Sequence, residues 1–183
     1  MVAPPPPPSE LDIGLPVEEG WVNAALFCTA AKTIVVVVGE RGHWCEQRVF
    51  VRAVDEHMYR KVQLPGQTFG VMGLVVSDAE PCAYVMLHQA SVEQDGSFQL
   101  EKPLFRVHLP TGVLEELPVA QPPGARVRQL LSYSDSTRLL NVVVAVPSAT
   151  YSDAEPDYDF RRATYDPRSG ETSIFELMHG YSV

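Results

Sequence analysis

Apolar residues along this chain fall into short runs with a period near two rather than a period between three and four. Thr33 to Val38, Ala83 to Leu87 and Asn141 to Val146 are rich in β-branched or aromatic residues, and each is bounded by turn formers. Asp95-Gly96, Pro110-Thr111-Gly112 and Pro167-Arg168-Ser169-Gly170 supply the positive φ that tight reversals require. Sixteen prolines and 12 glycines interrupt the chain too often for long helices. The pattern therefore predicts an all-β fold of short strands.

The strand pattern also repeats. Phe50, Phe105 and Phe160 recur at a spacing of 55 residues, and each begins a similar stretch. Phe50-Val-Arg-Ala-Val54-Asp55 and Phe105-Arg-Val-His-Leu109-Pro110 share an apolar residue four places on, followed by a turn former; the copy beginning at Phe160 is one residue longer. Val62 to Pro65, Leu114 to Pro118 and Ile174 to Leu177 close each hairpin. Leu26 to Thr29, Leu74 to Asp78 and Leu131 to Asp135 precede the three apolar runs. Each repeat reads as four antiparallel strands. The predicted boundaries are about 22–65, 70–118 and 127–177 within a three-repeat domain over 21–177, flanked by a proline-rich leader over 1–20 and a tail over 178–183.

Four strands per repeat of about 40 to 50 residues, with an apolar second strand and a third-to-fourth hairpin such as Phe105 to Gly112, resembles the blades of a β-propeller. The resemblance spans about residues 22–177. It does not extend to a particular propeller family, because the Trp-Asp and Gly-His signatures and the paired glycines of two such families are missing. The resemblance implies a half or partial propeller of three blade-like repeats. The alternative is a β-sandwich whose hairpins match by coincidence. Closed propellers use about four to eight blades, so three leave two apolar faces to be covered. Two chains pairing into a six-bladed ring would cover them, as would another protein.

Composition narrows the functional classes. Fourteen Lys and Arg against 23 Asp and Glu leave a formal charge of −9 in 183 residues, which opposes binding to nucleic acid and to anionic membranes. The longest unbroken apolar run, Ile34 to Val38, is far shorter than the about 18 residues of a membrane-spanning helix. Cys28, Cys45 and Cys82 match neither a zinc nor a redox spacing and read as reduced, buried thiols. With no basic and apolar leader at the N-terminus, they suit a cytoplasmic compartment. Pro4 to Pro8 fix a polyproline II segment, which suits a stiff leader or an SH3 or WW ligand.

Candidate chemistry is sparse. Asp153, Glu155, Asp157 and Asp159 alternate along the chain, so in an extended strand all would face one side; they are weak candidates for a hard cation and otherwise a solvated acidic loop. His43 and Trp44 precede Cys45, and Trp44 is a candidate protein contact. Ser77-Asp78 and Ser134-Asp135 lack the glycines of a nucleophile elbow and read as turn residues that accept local backbone N–H bonds. Arg52, Arg106 and Arg162 recur in the third strand of the repeats and are candidates for an anion site in an assembled channel. No nucleotide-phosphate loop occurs, and no cofactor is implied. The expectation is a non-enzymatic interaction or scaffold module, partnered by protein or by itself. The alternative is a small-ligand binder or enzyme with a site in the central channel of an assembled ring.

Overall fold

The computed structural model describes residues 20–40, 43–66, 68–92, 98–120, 125–148 and 158–177. The Pro4 to Pro8 segment, the Asp95-Gly96 turn and the tail over 178–183 lie outside the described residues. Among those described, every regular element is a strand, and no helix is long and apolar enough to cross a membrane.

The first sheet joins β1 (Gly20–Cys28), β2 (Thr33–Glu40), β3 (His43–Ala53) and β4 (Arg60–Lys61) in chain order. The second contains β5 (Thr68–Val76), β6 (Cys82–Val92), β8 (Leu104–His108) and β9 (Val113–Glu116), with β7 (Phe98–Glu101) extending the far end of β6. The third joins β10 (Arg126–Ser134), β11 (Leu139–Pro147), β12 (Tyr158–Tyr165) and β13 (Thr172–Leu177). Each sheet is an antiparallel meander of four principal strands, the form that blade-like repeats take. The three apolar runs occupy the second strand of each sheet, flanked by neighbours on both sides, where β-branched residues such as the valines of β2 and β11 pack well.

The register makes the three sheets equivalent position by position. Cys28 and Thr33, Ser77 and Cys82, and Ser134 and Leu139 each close a four-residue loop between first and second strands. Lys32 (φ 47°) and Arg138 (φ 59°) are the last residues of two of these loops and share a left-handed conformation, whereas Pro81 holds that place in the second. On the third strand Ala53, His108 and Asp166 correspond. The N–H groups of Gly112 and Gly170 bond to the carbonyls of His108 and Asp166, so the following turns match as well.

This register corrects one reading of the repeat. Phe50 and Phe105 are equivalent, opposite Val36 and Val85, but the equivalent residue in the third sheet is Ala163, opposite Val142. Phe160 lies opposite Ala145, on the other side of its sheet. Because side chains alternate faces, an offset of three residues reverses the side on which a residue points.

The sheets pack in series, always in the same sense. Directly opposed residues share a face, and the face of the first sheet carrying Val35, Val37, Val49 and Val51 meets the face of the second carrying Ala83, Val85, Leu87 and Phe105. The opposite face of the second sheet, with Tyr84, Met86 and Leu104, meets Leu140, Val142, Val144, Ala163 and Tyr165 of the third. By the equivalences above, the same forward face packs on the same backward face at both junctions. Fully burying one such side chain contributes about 1.5–3 kcal/mol, so the middle sheet is secured on both sides.

Three sheets in series leave the backward face of the first and the forward face of the third at the ends. These faces are less open than a three-blade stack implies. Val36, Val38 and Phe50 at one end and Val143 and Ala145 at the other are buried within the single chain. Part of the first is covered by Arg52, whose guanidinium sits 4.9 Å from the Tyr59 ring centroid. Apolar groups remain exposed at both ends: Val22 and Phe27 at one and Phe175 at the other are roughly half exposed or more.

Candidate functional site

The junctions between repeats carry a recurring polar contact at the first-to-second strand loops. Thr29, Asp78 and Asp135 are the first loop residues of the three sheets. The Thr29 hydroxyl donates to Asp78 Oδ1 at 3.0 Å, and Cys28 Sγ approaches the Ser77 carbonyl oxygen at 3.0 Å. At the next junction Ser77 Oγ donates to Asp135 Oδ1 at 2.5 Å, while the N–H groups of Ala79 and Asp78 donate to Oδ1 and Oδ2 at 3.2 and 3.1 Å. Ser77 also accepts locally from Ala79 and Glu80 N–H, as a turn residue does. Asp135 instead reaches across to the preceding repeat. Burial alone would raise its pKa, but the hydrogen bonds from Ser77, Asp78 and Ala79 outweigh it and hold the carboxyl below its ordinary value.

Beside this junction, the second and third sheets enclose a cleft of about 780 Å³. Tyr84 and Tyr133 form its aromatic wall, with ring centroids 4.8 Å apart. Glu80 bridges two cations, Arg106 Nη2 at 3.2 Å and Arg138 Nε at 3.6 Å. Burial pushes the Tyr84 and Tyr133 hydroxyls upward in pKa, Tyr84 the further. Burial would lower the Arg106 pKa, but Cys82, Tyr84 and Glu80 more than offset it and strengthen its hold on the proton. Cys82 is itself fully buried, and desolvation raises its thiol against the opposing effects of Tyr84 and Arg106. A thiol held protonated is a poor nucleophile. The charged groups answer one another across the cleft, which makes it a cross-repeat clamp.

The three arginines singled out in the sequence lie on three different faces. Arg52 covers the outward face of the first sheet, Arg106 stands opposite Tyr84 between the second and third, and Arg162 is exposed on the outward face of the third. Within one chain they do not converge. His43 and Trp44 open β3, but their side chains lie outside the described residues. So do Asp153, Glu155 and Asp157; Asp159 pairs with Arg161 at 3.0 Å. Among the described residues no three metal-ligating side chains come together. His108 Nδ1 lies 2.8 Å from the Thr111 hydroxyl within its own turn, and His88 meets the edge of Phe69.

Sequence reasoning missed the reach of Asp135 and the partnership of Glu80 with Arg106 and Arg138. The recurrence of Ser-Asp at two equivalent loops was the available signal for the first; nothing in spacing links Glu80 to residues 26 and 58 positions away. No protein-family model matches the chain, and no curated protein matches it closely enough to count as a relative.

Proposed function

We propose that this chain is a non-enzymatic interaction module built from three β-propeller-type blades, and that a second copy supplies the surface its end faces lack, giving a six-bladed ring. The observation that carries this reading is the repeated sense of packing: one forward face meets one backward face at both internal junctions. A sandwich pairs two sheets and stops, whereas head-to-tail packing with a constant sense extends until it closes. The third sheet of one copy would meet the first sheet of the other, twice in the dimer. Phe27 and Val22 on one flank and Phe175 on the other are the exposed apolar groups such a junction would bury.

The test uses Phe27→Asp and Phe175→Asp, studied by sedimentation separately and mixed. Each variant alone should be monomeric, because each spoils both junctions of its own dimer. An equimolar mixture should recover partial dimer, since one junction of the mixed pair is then unaltered. Dimers that persist in both single variants would refute the reading, as would a mixture that recovers nothing while the wild-type chain dimerises.

A further inference from the structure

On the other side of the Leu117–Val119 connector, the second and third sheets bound a smaller cleft of about 300 Å³. Lys102 follows β7, and Arg126 and Arg128 open β10, so two different sheets bring three cations to one hollow. The floor is apolar: Leu104, Leu117 and Val127 are all buried. Glu101 and Glu116 also line it. Three of only 14 basic residues in a chain of formal charge −9 thus meet over a greasy floor.

Two observations show that the fold answers these cations only in part. The Arg128 guanidinium sits 6.0 Å from the Tyr158 ring centroid, but its Nε is buried and has no hydrogen-bond partner, which is costly for a donor shut away from water. Burial, and then the charge of Arg128, holds the Lys102 ammonium below its ordinary pKa. The two cations repel one another across the hollow, and an anion between them would relieve both.

We propose that this cleft binds a small amphipathic carboxylate, its head between Lys102 and Arg128 and its apolar body on Leu104, Leu117 and Val127. The balance of three cations against two carboxylates suits a single negative charge and disfavours polyanions. A planar guanidinium matches a carboxylate in two parallel hydrogen bonds. The volume is that of about ten waters, which suits a body the size of octanoate. The site lies within one chain and does not depend on ring closure.

Titration calorimetry of the full chain with sodium octanoate, 1-octanol and inorganic phosphate tests this. Octanoate should bind saturably at one site per chain, octanol about tenfold more weakly for want of the charged head, and phosphate not at all. Lys102→Gln and Arg128→Gln should each weaken octanoate by about tenfold or more while leaving the circular dichroism of the sheets unchanged. Lys102, only partly buried, guards against loss of fold in the Arg128 variant. Absence of saturable octanoate binding would overturn the proposal, as would octanol binding as tightly, phosphate binding in preference, or a Lys102→Gln chain that binds octanoate unaltered.

Discussion

Replacing Asp135 with Ala isolates the polar contact between the second and third repeats. The carboxylate accepts three hydrogen bonds, from Ser77 Oγ, Asp78 N–H and Ala79 N–H. Ser77 is fully buried, so its hydroxyl would be left without an acceptor, at a cost of about 1–3 kcal/mol. The two backbone donors are partly exposed and rehydrate more cheaply. A total loss of about 2–4 kcal/mol follows, or roughly 5–15 °C in Tm for a chain of this size. Urea unfolding followed by circular dichroism measures it, with Ser134→Ala as the control, because that hydroxyl pairs with the Ser136 hydroxyl in an exposed contact. The loss should also depend on pH. The folded pKa of Asp135 lies below its unfolded value, so its contribution is complete above the ordinary carboxylate range and fades as pH falls through that range toward the folded value. A variant within about 0.5 kcal/mol of wild type at neutral pH, or a deficit that grows on acidification, would refute the role assigned to this residue.

Three further outcomes are expected. Gly170→Ala should destabilise the chain by about 2 kcal/mol or more, since Gly170 has φ 77° and an added Cβ would lie 2.6 Å from the Val119 carbonyl oxygen; thermal unfolding checks it, and an unchanged Tm would count against the close approach. Tyr165→Phe should cost about 1 kcal/mol through loss of the bond from its buried hydroxyl to the Pro118 carbonyl, which anchors the connector between the two clefts. Stability should also fall as pH rises past the ordinary thiol and phenol values of 9.0 and 10.0. Cys82, Tyr84 and Tyr165 have folded pKa values raised chiefly by burial, so the unfolded chain gives up protons first; stability that stayed level to pH 11 would contradict their burial.

The strands were legible because their signal is local. The Val35 to Val38 and Val142 to Val144 runs can be little other than strands flanked on both sides, and the Pro110-Thr111-Gly112 turn announces its hairpin. Face assignment was less legible. A shift of a few residues moves every side chain to the opposite side, and the equal spacing of Phe50, Phe105 and Phe160 concealed such a shift in the third copy. The covering of the first sheet's outward face was also hidden, because a sequence shows that Arg52 is charged but not that its guanidinium sits over the Tyr59 ring. Cross-repeat contacts such as Glu80 with Arg138 join residues 58 positions apart and have no local signature. The three recurring arginines misled for the same reason as Phe160: membership of equivalent strands does not fix the face.

The mass of the wild-type chain in solution, followed by light scattering over a dilution series, tests most directly whether a second copy completes the series of sheets. A chain of 20.2 kDa should scatter as a species of twice that mass and dissociate on dilution without passing through larger assemblies. A mass that stays at one chain across the whole series would contradict the account.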